Sequence, residues 1–290
     1  MLRTLKFVLN HPLNKGKAVS SLFNVFKWQV FSRIYKFPVV YPFTQNSKLL
    51  VWSGLAGATG NVYCGLHEFE DMAFLLHLLR ADDLFVDIGA NIGSYTILSS
   101  AEIGAGTISI EPIPETYNYL LQNIAINNVS QKVKALNIGL GSEKNILKFT
   151  NEFDTGNHVA SADTLNYVSV NVDTLDSILG EKRPVLLKID VEGFEAEVIK
   201  GAVNTLQNAS LKAIIIELNG SGNRYGYNDH DIHLKLLESG FKAMAYLPFE
   251  RRLIETPPNN EHNTLYIRDL DFVQQRIKNS RKVLVKNNSL

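Results

Sequence analysis

Leu84-Phe85-Val86-Asp87-Ile88-Gly89-Ala90-Asn91-Ile92-Gly93-Ser94-Tyr95-Thr96 is the stretch that decides the fold. An apolar run ends in a small-residue turn and resumes as a helix, so Gly89 and Gly93, without a Cβ, are expected to let a ligand approach the backbone. A second apolar run ends at Glu111-Pro112. In dinucleotide folds a carboxylate about 20 residues on from such a turn accepts bonds from the ribose hydroxyls. Glu111 takes that place, and a ribose-bearing cofactor is expected.

The turn narrows the choice of cofactor. A pyrophosphate needs glycines in the pattern G-x-G-x-x-G. Asn91 and Ser94 occupy the second and third glycine positions, and Asp87 sets a carboxylate just ahead of the turn, facing a site meant for an anion. S-adenosylmethionine suits such a site, since it carries a ribose and an ammonium group and no phosphate. A plain surface turn is the bland alternative, and the pairing of Asp87 with Glu111 weighs against it.

The sequence resembles the FkbM-type S-adenosylmethionine-dependent methyltransferases. The resemblance rests on residues 86–93, on Glu111-Pro112, on Asn137-Ile138-Gly139-Leu140-Gly141 and on Leu187-Lys188-Ile189-Asp190-Val191-Glu192-Gly193-Phe194-Glu195, and spans about residues 60–270. It implies a Rossmann-like class I α/β fold, with a mostly parallel seven-stranded sheet and helices on both faces. It also implies a hydroxyl acceptor on a sugar, glycan or polyketide-like metabolite, with Asp190 and Glu192 beside the methyl donor and acceptor.

Composition agrees with an ordinary enzyme. The 290 residues are 45% hydrophobic and carry a formal net charge of +0, which argues against general nucleic-acid binding. A single cysteine, Cys64, suits a reducing cytoplasm, and the start of the chain is too soon interrupted by Asn10-His11-Pro12 for a secretory signal. The expected location is cytoplasmic, with the inner membrane surface as the variant.

That variant comes from uneven charge. No Asp or Glu precedes Glu68, whereas Arg3, Lys6, Lys15, Lys17, Lys27, Arg33, Lys36 and Lys48 do. The same arm carries Phe23, Phe26, Trp28, Phe31 and Tyr35 in a helix-like stretch ahead of Pro38. An accessory helix packed on the catalytic domain is preferred, because aromatic residues at helical spacing are usually core. The alternative is peripheral contact with an anionic membrane or a glycolipid. Residues 1–60 are thus expected as a basic accessory segment, 61–270 as the methyltransferase domain, and 271–290 as a solvated basic helix or frayed tail.

Strands and helices alternate along the chain, the pattern of a parallel α/β sheet. Core strands are predicted at 84–88, 107–110, 132–137, 185–189, 213–218, 241–247 and 264–268, with helices at 69–79, 94–101 and 115–127. A hairpin is predicted between 49–52 and 62–64, and an inserted antiparallel pair between 146–150 and 168–172.

Ligands of such sheets bind outside the carboxyl ends of the strands. The expected cofactor ligands are Asp87, Gly89, Ala90, Asn91, Gly93, Ser94, Tyr95, Glu111, Pro112, Asn137, Gly139 and Asp190, with Asn137 and Gly139 on the adenine side. Methyl transfer to an alcohol needs in-line positioning and a base. The candidates, in order, are Asp190, Glu192 and His158, then His230, His233 and His262; Glu261-His262-Asn263 could also reach the acceptor. Asp190, Glu192, Glu217 and Asn219 offer oxygen ligands that suit magnesium. Cofactor and acceptor binding account for the same cluster, and no metal is assigned. A nitrogen acceptor, an NAD-dependent oxidoreductase and a silent S-adenosylmethionine-binding partner protein are the competing functions. Asn91 and Ser94 count against the oxidoreductase, and the intact Asp87, Glu111 and Asp190 set counts against the silent partner.

Overall fold

A computed structural model describes residues 2–35, 37–52, 54–153, 156–161, 163–259 and 262–290. Lys36 and Glu261 therefore lie outside the described residues.

Eight strands form the central sheet: β1 (Leu84–Ile88), β2 (Gly106–Ile110), β3 (Val133–Leu136), β4 (Leu186–Ile189), β5 (Ala213–Glu217), β6 (Lys242–Leu247), β7 (Arg252–Glu255) and β8 (Asn263–Ile267). Their order is β7-β6-β8-β5-β4-β1-β2-β3. Strands β1 to β5 run parallel, and β8 lies antiparallel between β5 and β6. Strand order reverses between β1 and β4, and it is there that the carboxyl ends splay to leave a crevice. This is a Rossmann-like α/β architecture, mostly parallel. The eighth strand corrects the expected seven: β7 folds back on β6, its Leu253 amide donating to Gln274 Oε1 at 3.3 Å.

The period-two alternation of β1 separates two cores. Val86 and Ile88 pack on one face with Ile108, Ile110, Leu187, Ile189, Ile214 and Ile216. Phe85 faces the other side, with Leu186, Ile215 and Leu265. Helices cover both faces. The inserted antiparallel pair forms as expected, Asn145–Phe149 against Val168–Asp173.

Two local expectations fail. Residues 48–51 do form a strand, but it pairs with Val39–Pro42 through a tight turn closed by the Phe43 amide on the Ser47 carbonyl. Val62, Tyr63 and Cys64 are instead the last turn of a helix, Ala56–Cys64. This helix runs across the expected division at residue 60. Glycine at 60 is required because a Cβ there would collide with the His67 ring. The helix predicted at 94–101 begins as Ser94–Ile97 and widens into a π-helical turn, Leu98–Ile103.

The C-terminal segment is not a solvated tail. Helix Leu270–Lys278 buries Val273 and Ile277, and Val283, Val285 and Leu290 join the same core as Val8, Leu13, Val25 and Trp28 of the N-terminal segment. Arg276 pairs with the buried carboxylate of Asp83. Buried Glu102 clamps the two ends of the chain: its carboxylate accepts from Thr44 Oγ1 (2.6 Å), the Asn46 amide (3.0 Å) and Arg281 (2.9 Å). Removing a partner from such a cluster strands buried polar groups. Glu102→Ala is expected to cost about 3 kcal/mol in urea unfolding, and a cost under about 0.5 kcal/mol would show that the clamp is not needed.

Candidate active site

A cavity of about 410 Å³ opens at the carboxyl ends of β1, β2, β4 and β5. Its back wall follows from sheet register. Asp87 pairs with Ser109 on one side and Lys188 on the other, so the three side chains leave the same face in a row. The Asp87 carboxylate accepts from Thr96 Oγ1 at 2.6 Å. Burial pushes its pKa up to about 6, against the pull of Lys188 and Thr96. The Lys188 ammonium is buried and lies 2.6 Å from Asp190 Oδ2 and 4.9 Å from the centre of the Tyr95 ring. Burial disfavours this charge, but Asp190, Glu68 and Asp87 together hold its pKa above the ordinary lysine value.

Two backbone amides hold the Glu111 carboxylate. One oxygen accepts the Asn91 amide at 2.9 Å and the other the Ile113 amide at 3.0 Å. A carboxylate has about four lone-pair sites, so each oxygen can take a further hydroxyl. Burial raises its pKa to about 7 despite those two bonds.

Most of the expected ligands meet here. Asp87, Gly89, Ala90, Asn91, Ser94, Tyr95, Glu111, Pro112, Gly139, Asp190 and Glu192 all line the cavity. Gly93 and Asn137 do not. A Cβ on Gly93 would strike Leu120 of the helix Pro114–Ile126, and one on Gly89 would collide with the Asp190 carbonyl. Both residues also have φ in the left-handed range, 93° and 76°. Packing against the protein's own chain, not room for a ligand, thus accounts for these two glycines. Asn137 turns its amide onto the Glu111 and Pro112 carbonyls, at 2.9 and 3.0 Å, and shapes the loop that holds Glu111.

His158 is also displaced from its expected place. Its Nδ1 hydrogen-bonds the Gly156 carbonyl at 2.8 Å and its ring stacks on Phe153, while the preceding Asn157 reaches the cavity. His230, His233 and Asn219 line a separate pocket, with His233 bonded to the Tyr266 hydroxyl at 2.8 Å. A larger cavity of about 1110 Å³ holds His262 and Asn263.

The two cavities share His67, Glu68 and Glu217. Glu217 Oε2 is buried with no hydrogen-bond partner among the described residues. Burial, then Asp190 and Glu192, push its pKa up to about 8, and burial and Asp190 push Glu192 to about 7. Carboxylate oxygens of Asp190, Glu192 and Glu217 lie within 4.8 Å of one another. Such a trio could hold a divalent cation, although the Lys188 ammonium already neutralises one member.

Sequence inspection missed Lys188, Asn61, His67, Glu68 and Asp71. A lysine inside the apolar run Val-Leu-Leu-Lys-Ile was the available signal, since a cation in a buried strand must be paired. Asn61 sits in the helix mistaken for a strand. Its amide donates to Ser94 Oγ at 3.0 Å and its Oδ1 accepts the His67 amide at 2.8 Å, so it joins that helix to the glycine turn. Asn263 donates to both Glu68 (2.8 Å) and Asp71 (3.0 Å) across the mouth.

A family model for the methyltransferase FkbM domain matches residues 87–243, more than half of the chain. The chain belongs to the FkbM methyltransferase family. Among curated proteins it is similar to the hexuronic acid methyltransferase AglP of Haloferax volcanii, 30% identical over 154 residues, covering 52% of this chain and 62% of that protein. It is also similar to methyltransferase 1 of Beauveria bassiana, 34% identical over 159 residues, covering 46% and 64%. The chain thus spans less than two thirds of either relative. Among solved structures, the FkbM methyltransferase of Methylobacillus flagellatus KT aligns with a TM-score of 0.45 and 16% identity, covering 86% of this chain and 60% of that one. The matched span of the family model begins at Asp87 near the end of β1 and holds β2 to β5, the glycine turn, Glu111 and the Asp190 to Glu192 segment.

The raised carboxyl pKa values have a measurable sign. Glu217 binds its proton more tightly in the folded state than in the unfolded chain, so its contribution to stability is lost as pH rises from its ordinary 4.5 towards about 8. Glu217→Gln, which stays neutral, is therefore expected to gain in Tm relative to the wild type as pH rises across that window. A Tm difference that stays flat with pH would refute the raised value.

Proposed function

We propose that this chain is an S-adenosylmethionine-dependent methyltransferase that acts on a hydroxyl oxygen of a saccharide or small molecule. The charge of the smaller cavity carries the proposal. Glu68, Asp87, Glu111, Asp190, Glu192 and Glu217 line it, and Lys188 is its only lysine or arginine among the described residues. Such a field disfavours a pyrophosphate and favours a cationic ligand. Glu111 would hold the ribose hydroxyls, and Ile138, Leu140 and Phe149 offer an apolar wall suited to a purine.

Bound there, S-adenosylmethionine supplies a methyl on a cationic sulfur, which bonds to the acceptor oxygen as its carbon–sulfur bond breaks. What remains for the protein is orientation of the acceptor and removal of the hydroxyl proton. We assign the larger cavity to the acceptor, because its junction with the smaller one brings Glu217 and His67 to the meeting point. Asp190 is committed to Lys188, which leaves Glu217 and Glu192 as the proton acceptors. A cation in the smaller cavity would lower their pKa values and favour the ionised carboxylates. His158 takes no part in this scheme. The acceptor we favour carries a carboxylate, as a uronic acid does: Arg3 and Lys6 line the larger cavity, and the Haloferax relative is named for hexuronic acid.

Calorimetric titration with S-adenosylmethionine, S-adenosylhomocysteine and NAD tests the cofactor. The two adenosyl ligands are expected to bind and NAD is not; binding of NAD alone would overturn the proposal. Glu111→Gln, which keeps one acceptor oxygen, is expected to weaken the adenosyl ligands about tenfold. Glu217→Gln is expected to lower kcat on a uronic acid glycoside by about a hundredfold with little change in cofactor affinity. Equal kcat values would remove Glu217 from the chemistry.

A further inference from the structure

Helix Ala18–Ile34 is apolar on two opposite faces. Val25 and Trp28 are buried against the core, flanked by Ser21 and Ser32. On the reverse side stand Val19, Phe23, Phe26, Val30 and Ile34, spaced i, i+4, i+7, i+11 and i+15, which is one continuous helical stripe. All are exposed, from 39% for Val30 to 85% for Val19, and Phe37 beyond the helix is 78% exposed. Scattered apolar residues on a surface are ordinary, but a stripe of five along one helix face marks an interaction surface.

Charge identifies the partner. Lys27 and Arg33 border the stripe by helical position. The first 67 residues hold eight lysines and arginines and no acidic residue. A second copy of this chain would set two like-charged faces against each other. An anionic bilayer accepts both features, with apolar side chains entering the acyl boundary and lysine and arginine meeting headgroup phosphates. Among the described residues no helix is long and apolar enough to cross a membrane, so the geometry is that of a helix lying on the surface.

We propose that the outer face of helix Ala18–Ile34 docks this protein on an anionic lipid surface. Helix Leu2–Asn10 packs beside it and gives Arg3, Lys6 and Phe7 to the larger cavity. Docking therefore holds that cavity close to the bilayer, within reach of a lipid-linked molecule.

Co-sedimentation with vesicles tests this without any turnover assay. The full chain is expected to pellet with phosphatidylglycerol–phosphatidylcholine vesicles, to stay in solution with phosphatidylcholine alone, and to be released by salt. Phe23→Ser with Phe26→Ser, both exposed, should reduce binding at least about tenfold and leave Tm and adenosyl-ligand affinity unchanged. Lys27→Gln with Arg33→Gln should weaken binding to the anionic vesicles. Equal pelleting of the wild type and the serine variant would overturn the proposal. So would a concentration-dependent dimer in light scattering that the serine variant dissolves, which would assign the stripe to contact between copies.

Discussion

A lysine ammonium buried inside a β-sheet is costly unless carboxylates surround it, and Lys188 sets that condition for the whole site. It stands in a row with Asp87 and Ser109 because parallel register puts their side chains on one face, and Asp190 closes on it from just past the end of its own strand. The surrounding carboxylates outnumber it. Burial first, and repulsion between neighbouring acids second, holds Asp87, Glu111, Glu192 and Glu217 above the ordinary carboxyl range. Carboxyl groups whose charged form is disfavoured by burial and crowding are ones that a bound cation would ionise, and this is the basis on which we propose a positively charged ligand there.

The glycine turn serves this arrangement by bringing strands together. Gly89 lets the turn after β1 lie against the Asp190 carbonyl, and Gly93 admits Leu120 beneath the following helix. With the turn so held, the Asn91 amide points at Glu111 and, together with the Ile113 amide, fixes both carboxylate oxygens. Asn137 fastens the same loop from the next strand. Precision at Glu111 thus derives from backbone amides rather than from side chains, and backbone geometry persists when side chains vary.

The half of the site built by strand ends was legible in the sequence. Asp87, Glu111, Asp190 and Glu192 each follow an apolar run, and the sheet rule assigns such positions to the crevice. The half built by tertiary packing was not. Helix Ala56–Cys64 reads as a hairpin because its glycines and short apolar run mimic turn and strand, whereas Gly60 serves the close approach of the His67 ring. His158 was legible as a loop residue but not as one folded back on Gly156 and Phe153. The C-terminal segment has the composition of a free tail, and only its contacts with Asp83, Glu102 and the N-terminal core hold it in place.

A net charge of zero conceals a division of charge along the chain. The first 67 residues carry eight formal positive charges and no negative one, so the remainder carries a net charge of eight negative, the totals being 29 and 29. An acidic crevice attracts a cationic donor and would repel an anionic acceptor approaching through the same field. For the acceptor we propose, the wall of the larger cavity would meet that conflict, since it carries Arg3 and Lys6 as well as Glu68, Glu70 and Asp71. An acceptor with a carboxylate at one end and a hydroxyl at the other would be turned by this polarity before any contact is made, its anionic end to the basic helix and its hydroxyl to Glu217. In that proposal helix Leu2–Asn10, although far in sequence from the strand ends, would complete the electrostatics of the site.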